Sequence, residues 1–190
     1  CIEALKLGFT SLMFDGSAGD EAENIAATRE IVKIAHSWGA TVEGEIGHVG
    51  QADAGDEAST DMYTTPKEAV DFINGTGVDA LAIAIGTAHG AYKQKPQLDL
   101  DRLCEIRAAV DTPLVLHGGS GLSDDDFRNT VRDGIAKVNI FTDLCVAGNN
   151  AMSAGLAENK AYLDIRNDKV KAMTEVVKRK MKLFGCAGKA

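Results

Sequence analysis

Short runs of branched and apolar residues alternate with longer amphipathic stretches, and this alternation limits the fold of the chain more than any other feature. The runs are bounded by Gly, Asp or Pro, as buried strands are. They cover residues 9–14, 41–46, 80–85, 113–117 and 136–141. Their spacing is that of successive βα units, which predicts an α/β protein with a parallel sheet. Five strands fit either part of a (β/α)8 barrel or an open doubly wound sheet.

The amphipathic stretches carry start and stop signals of helices. Residues 23–38 place apolar side chains on one face, and Gly39 ends the pattern. The run Thr65-Pro66-Lys67-Glu68 is a capping box with proline at the first helical position. Ser123 and Asp168 begin two further predicted helices.

Charge and composition exclude several classes of function. The net charge of −8 argues against an extended basic face for nucleic acid. The longest apolar run, residues 80–85, is far shorter than the about 20 residues that a membrane span needs. The cysteines (Cys1, Cys104, Cys145 and Cys186) are widely spaced and form no CxxC pair. This spacing argues against a disulfide scaffold and predicts a reducing, cytoplasmic location.

The first eight residues have the pattern of a helix tail closed by Gly8, and the chain opens on Cys1 rather than Met. A helix tail needs the helix and the strand before it. We therefore expect the native protein to extend further at its N-terminus.

Two histidines follow predicted strands at the same structural place. His89 and His117 are each flanked by glycine. In parallel α/β folds the functional groups lie at the carboxyl ends of strands, so these imidazoles should converge. Neutral imidazoles suit Zn²⁺, although a catalytic zinc usually has three protein ligands. A buried or capping role is the alternative for either histidine alone.

A glycine-rich turn follows His117. Gly118, Gly119, Ser120 and Gly121 open toward a helix N-terminus, where backbone N–H groups and the Ser120 hydroxyl can hold a phosphate. Residues 139–142 end the next strand and open another helix. If the two strands are the seventh and eighth of a barrel, they form its common phosphate site. A plain tight turn is the alternative.

Three carboxylates are further candidates. Asp15 and Glu45 end the first two strands, and they either bind metal, orient the histidines, or serve as caps and ion-pair partners. Asp53 lies in the polar segment of residues 51–60, which we interpret as a long mobile loop. A loop carboxylate that closes over a substrate can move protons, while a solvated loop charge is the alternative.

Together these segments resemble the class II, zinc-dependent ketose-bisphosphate aldolases, the fructose- and tagatose-bisphosphate group. The matching segments are collinear: GFTSLMFD (8–15), VEGEIG (42–47), YTTP (63–66), IGTAHGAYK (85–93), LVLHGGSGL (114–122) and KVNI (137–140) with Thr142. The resemblance implies a TIM barrel of which this chain holds strands 4–8 and the C-terminal helices. Residues 1–190 would then be one domain, a partial barrel without its N-terminal strands.

The resemblance also implies site roles. His89 and His117 would be zinc ligands, and Asp15 and Glu45 would match carboxylates that bind a second or displaced metal. We also expect such a site to bind a monovalent cation. The dihydroxyacetone phosphate portion would be held by Gly90, Gly118, Gly119, Ser120, Asn139, Ile140, Phe141 and Thr142.

The implied reaction is the reversible cleavage of a phosphorylated ketose to dihydroxyacetone phosphate and an aldehyde. The substrate would be of the fructose- or tagatose-1,6-bisphosphate type, in carbohydrate metabolism such as glycolysis. The binding partner would be a small phosphorylated sugar. The enzyme would be a cytoplasmic homo-oligomer, either a dimer or a tetramer.

The chain departs from the family pattern at several places. The family's Asp-His pair, which supplies the catalytic acid and the third zinc ligand, would lie before residue 1, so we expect this chain alone to be inactive. Asp53 stands where a functional Glu often lies. Phe141 stands where the fructose enzymes often have Asp and the tagatose group Ala. The aldehyde partner is therefore not predicted.

Three other readings stay open at this point. The chain could be a non-catalytic fragment or split subunit that keeps a phosphate site. It could be a Schiff-base aldolase with Lys137 as the nucleophile. It could also be another zinc lyase or hydrolase that uses the same strand ends.

Overall fold

A computed structural model describes residues 1–47, 49–51, 63–90 and 96–189 of the chain. Asp53, the predicted loop carboxylate, lies outside the described residues. The helices are α1 (Ile2–Lys6), α2 (Glu21–Ser37), α3 (Pro66–Thr76), α4 (Leu100–Ala109), α5 (Asp124–Arg132), α6 (Thr142–Ala157) and α7 (Tyr162–Leu183). The strands are β1 (Ser11–Asp15), β2 (Thr41–Ile46), β3 (Gly50–Gln51), β4 (Ala80–Ile83), β5 (Ala88–His89), β6 (Leu114–Leu116) and β7 (Ile135–Val138).

Five strands form one parallel sheet in the order β1-β2-β4-β6-β7. Each neighbour in the sheet is the next long strand along the chain, as in a barrel, so the predicted parallel α/β architecture is confirmed. The short strands β3 and β5 pair with each other, also in parallel. The pattern did not predict this small pair, because two-residue strands carry too little periodicity to detect.

Local chemistry explains where several helices begin. The Thr65 side chain accepts from the Glu68 N–H while Glu68 accepts from the Thr65 N–H, which completes the predicted capping box of α3. Ser123 makes the same reciprocal arrangement with Asp126 at the start of α5. Helix α4 was not predicted, although Asp99 caps it by accepting from the Arg102 N–H. Asp168 does not begin the last helix, which starts six residues earlier at Tyr162.

The core lies between the sheet and the helices that cover its outer face. Strands β4 and β6 are buried almost throughout, while the edge strands β1 and β7 are buried only in part. Phe72 of α3 and Phe127 of α5 are fully buried against the sheet. A side chain at Gly44 of β2 would bring Cβ 2.7 Å from the Phe72 ring, so this glycine permits the close packing of α3 on the sheet.

Helices α6 and α7 form an antiparallel pair that follows the last strand. Gly155 lets Ile165 approach closely, since an added Cβ would lie 2.8 Å from the Ile165 side chain. Among the described residues, no helix is both long and apolar enough to cross a membrane.

Candidate active site at the carboxyl ends of the strands

His117 follows β6 and sits between two carboxylates from β2. Its Nε2 lies 2.9 Å from Oε1 of Glu43, and its Nδ1 lies 3.1 Å from Oε2 of Glu45. All three side chains are buried. The two glutamates reach the same imidazole because residues two apart on a strand point to the same face of the sheet.

Lys137 of β7 completes a chain of charges behind His117. Its Nζ lies 2.6 Å from Oε2 of Glu43. Burial alone would raise the pKa of Glu43, but hydrogen bonds from His117 and Lys137 outweigh it and lower that pKa below its usual value. Burial also lowers the pKa of His117, yet the hydrogen bonds to Glu43 and Glu45 raise it to about 9. These two carboxylates thus favour the imidazolium form of His117.

His89 faces His117 from β5. The ring centroids lie 5.8 Å apart, with the ring planes at 64°. Burial lowers the pKa of His89, and the positive charge of His117 lowers it further against the opposing effect of Glu45 and Asp15. The lowered pKa favours neutral His89, and neutral imidazole is the form that binds metals.

The spacing of the two rings fits a shared metal ion. A tetrahedral zinc with one nitrogen from each ring would separate the centroids by about 5 Å, since Zn–N bonds are about 2 Å long. The predicted carboxylates lie near: Asp15 pairs with Glu45 in the register of β1 and β2, and its charge acts on His89. Asp15 is exposed, and its Oδ1 accepts from the Ser17 N–H and hydroxyl. Within the described ranges, no three His, Cys, Asp or Glu side chains are close enough to hold a metal by themselves.

A cavity of about 780 Å³ opens beside His89. Its walls come from the last residues of β5 and β7 and from the segments that follow β5, β6 and β7: His89, Gly90, Gly118, Ser120, Val138, Asn139, Ile140, Phe141 and Thr142. Gly118 has φ +64°, and a side chain there would collide with the Ala88 carbonyl. This glycine allows the turn after His117 to lie directly against β5. The predicted substrate-binding residues are thus brought together, with Gly119 directly behind the wall against Val138 and Asn139.

The hydrogen bonds around this cavity show which donors remain able to bind an anion. The Gly119 N–H donates to Asn139 O, and the Phe141 and Asp143 N–H groups donate to Ser120 Oγ at 3.3 and 3.2 Å. Both acceptor positions of the Ser120 hydroxyl are then used, so its hydrogen is left to donate.

Three backbone N–H groups add to that hydroxyl. In the part of the chain that the structure describes, the N–H groups of Ser120, Ile140 and Thr142 donate to no protein acceptor. All three residues line the cavity. Convergent N–H groups at the start of α6, together with a hydroxyl, form the kind of concavity that binds an anion.

Some functional residues were missed by sequence reasoning. Glu43 was noted at the end of its strand but given no role, although it alternates with Glu45 and so shares its face. Asp143 and Lys180 were also passed over. They form an ion pair at 3.0 Å, and Asp143 accepts from the Gly121 N–H at 3.1 Å.

A parallel sheet whose strands pair in chain order, with polar residues at their carboxyl ends, is typical of (β/α) barrels. The chain belongs to the class-II fructose-bisphosphate aldolase family, whose model matches residues 1–189. The predicted family is therefore confirmed, as is the prediction that the sheet is part of a TIM barrel.

Two comparisons concern the same relative from Escherichia coli K12. The YdjI protein is 44% identical over 184 residues, which cover 96% of this chain and 66% of YdjI. The crystal structure of the YdjI aldolase has a TM-score of 0.88 and 41% identity, covering all of this chain and 66% of that one.

Two further solved structures are similar. A proposed fructose-1,6-bisphosphate aldolase from Coccidioides immitis has a TM-score of 0.87 at 31% identity, covering 98% of this chain and 67% of that chain. Fructose-bisphosphate aldolase from Campylobacter jejuni shares the fold, with a TM-score of 0.75, 23% identity, and coverage of 94% and 61%. The chain thus spans about two thirds of the length of the relatives it matches.

Proposed function

We propose that this chain belongs to a zinc-dependent aldolase that reversibly cleaves a phosphorylated ketose to dihydroxyacetone phosphate and an aldehyde. The ketose is of the fructose- or tagatose-1,6-bisphosphate type. One observation carries the proposal: His89, whose ring lies against that of His117, borders a cavity whose wall presents anion-binding donors. Family membership supports the reaction class.

His89 and His117 would hold the zinc, with the third protein ligand and the main catalytic acid contributed from outside this chain. When bound, zinc polarises the ketone of dihydroxyacetone phosphate and stabilises the negative charge that follows proton loss. Glu45 lies 3.1 Å from Nδ1 of His117, so it would either be a further ligand of the bound metal or give up this contact. Asp15 is the candidate for a second or monovalent cation beside it.

The donors after β6 and β7 would bind the substrate phosphate. The Ser120 hydroxyl and the N–H groups of Ser120, Ile140 and Thr142 line the same cavity as His89. A phosphate fixed by these groups would place the reacting carbons of the substrate near the histidines, so that binding energy orients the reaction. Gly90, Gly118, Gly119, Asn139 and Phe141 complete the proposed substrate-binding set.

Asp53 stays a prediction as a residue that moves a proton, because it lies outside the described residues. We further propose that residues 1–190 form a single domain that the remaining barrel strands complete, and that the chain alone is inactive. A homo-oligomeric state and a cytoplasmic location are part of the same proposal.

Lys137 is better suited to an ion pair than to Schiff-base chemistry. A nucleophilic lysine must be a neutral amine. The Lys137 Nζ is instead engaged in an ion pair, 2.6 Å from the buried carboxylate of Glu43. The geometry therefore favours the metal-dependent route.

The test uses the full-length protein and its zinc content. Cleavage of fructose- and tagatose-1,6-bisphosphate is followed by the dihydroxyacetone phosphate formed. The preparation is tested as isolated, after chelation and after zinc is restored. We expect cleavage of one of the two ketoses, lost on chelation and regained with zinc. In the His117→Ala variant, zinc and activity should disappear together.

The matched control is His36→Ala, which removes a half-exposed histidine paired with Asp79 on the outer surface. This variant should keep both zinc and activity. A zinc-loaded protein that cleaves neither ketose would support a non-catalytic role or another zinc enzyme. Borohydride trapping of substrate on Lys137 would support the Schiff-base reading. Full zinc occupancy in His117→Ala would overturn the ligand assignment.

A further inference from the structure

Lys180 of α7 is buried to an unusual degree for a lysine. Only 4% of the residue is exposed. Its Nζ lies 3.0 Å from Oδ2 of Asp143 and 4.1 Å from the centroid of the Phe127 ring. A buried ammonium is costly unless a carboxylate or an aromatic face compensates it, and here both do. The C-terminal helix thus places one cation beneath the first turn of α6.

Asp143 links that cation to the glycine-rich turn. Its Oδ1 accepts from the Gly121 N–H at 3.1 Å, while its own N–H donates to Ser120 Oγ at 3.2 Å. One residue in the first turn of α6 therefore fixes two successive residues of the turn after His117. The side chain that holds Asp143 from the opposite side is Lys180.

We propose that Lys180 is a positioning residue for the anion subsite, acting through Asp143 to hold the Ser120 hydroxyl and the turn of residues 118–121 in the geometry that binds phosphate. This inference rests on the proposed function for the identity of the anion. Lys180 does not line the cavity that holds His89 and Ser120, so it would act without touching the substrate.

Charge gives the arrangement a second effect. Without the ammonium, Asp143 would keep a carboxylate at the base of a site that must accept a phosphate carrying negative charge. Like charges at short range disfavour binding, and a partly buried pair is screened little by salt. Lys180 therefore neutralises Asp143 as well as holding it.

The informative variant is Lys180→Met, which keeps most of the side-chain volume against Phe127 and removes the charge. In the full-length, zinc-loaded protein, binding of inorganic phosphate and of dihydroxyacetone phosphate is measured by calorimetry, beside zinc content and the melting temperature. We expect both affinities to fall about tenfold, equivalent to about 1.4 kcal/mol, with the zinc content unchanged. Lys178→Met, on the exposed face of the same helix, should leave both affinities, the zinc content and the melting temperature unchanged.

A purely structural role is distinguished by a second substitution. Asp143→Asn keeps an oxygen for the Gly121 N–H and removes the uncompensated charge. Added to Lys180→Met, it should restore phosphate affinity at least in part, measured well below the melting temperatures of both variants. If Lys180→Met does not fold, Lys180→Gln is measured in its place. It removes the charge but can still donate to Asp143, so we expect a smaller loss of phosphate affinity that Asp143→Asn again relieves.

The outcomes separate this inference from the proposed function. Wild-type protein that binds phosphate, with a folded Lys180 variant that binds it equally well, overturns the positioning role alone. Phosphate binding that depends on Lys180 in a protein without aldol cleavage overturns the proposed reaction and keeps the positioning role. Wild-type protein that binds neither phosphate compound overturns both.

Discussion

Glu43 contacts the Nε2 of His117 through its Oε1 at 2.9 Å, while the other ring nitrogen, Nδ1, faces Glu45. A carboxylate on one imidazole nitrogen fixes the tautomer and makes the other nitrogen a better ligand. Lys137, at 2.6 Å, keeps this carboxylate in place. The three residues come from β2, β7 and the end of β6, so the sheet itself aligns the proposed metal ligand.

The first prediction follows from that contact. Replacing Glu43 by Gln should weaken zinc binding by about 10- to 100-fold, because an amide cannot accept and hold the imidazole N–H with the strength of a carboxylate. Competition with a chelator measures the zinc affinity. Glu30→Gln, which alters an exposed ion pair with Lys33, is the matched control and should bind zinc normally. Unchanged zinc affinity in Glu43→Gln would rule out this orienting role.

A second prediction concerns pH. His117 has a pKa of about 9 in the metal-free chain, while burial lowers the pKa of His89 below its ordinary value. Zinc needs both imidazoles neutral, so at about pH 7.5 its binding should release about one proton, from His117. The apparent zinc affinity should therefore rise by about tenfold per pH unit and level off above about pH 9.

Calorimetry in buffers of different ionisation enthalpy measures this proton release. The His36→Ala protein serves as the control, since that exposed histidine should not contribute to it. Zinc binding without proton release at neutral pH would mean that His117 is already neutral or is not a ligand.

The strands and their ends could be predicted from sequence because their signals are local. Residues 41–46 are predicted as a strand with the bounds observed for β2, and the glycines beside His89 and His117 mark strand ends. Parallel pairing then brings those ends to one edge of the sheet. For this reason the cavity wall around Ser120 could be foreseen without any pairwise contact being known.

The residues that support the site depend on contacts between distant parts of the chain. Glu43 and Lys137 are 94 residues apart in sequence, and neither has a neighbour that marks the pairing. Lys180 lies in a basic stretch with the pattern of a solvated helix face, yet it is buried against Asp143 and Phe127. Such pairings depend on how α7 packs against α5 and α6, which periodicity does not specify.

A third prediction concerns Ser120. Replacing Ser120 by Ala removes the hydroxyl that we expect to donate to phosphate, and it also leaves the Phe141 and Asp143 N–H groups without their acceptor. Binding of dihydroxyacetone phosphate should weaken by about 1–3 kcal/mol, the range for a hydrogen bond to a charged group. Zinc binding should stay unchanged, because Ser120 is not a proposed ligand.

Calorimetric titration of the zinc-loaded variant measures this loss. Ser153→Ala, on an exposed part of α6, is the matched control and should bind as the wild type does. Equal affinity in the Ser120 and Ser153 variants would mean that the Ser120 hydroxyl in the glycine-rich turn does not bind phosphate.

The last prediction concerns residues 1–190 expressed alone. In the described sheet β1 and β7 each have one neighbouring strand, whereas every strand of a closed barrel has two. Such edges expose unpaired N–H and C=O groups, and Met13 on β1 adds apolar surface. The isolated chain should therefore self-associate, which light scattering after size-exclusion chromatography would measure. It should also show no aldol cleavage with zinc supplied, because the third zinc ligand and the main acid are proposed to lie outside it.

The full-length protein, assayed in parallel, should cleave substrate. A compact monomer of residues 1–190 with strong zinc-dependent cleavage would contradict both expectations. The open edges would then not cause association, and the missing ligand would not be needed for cleavage.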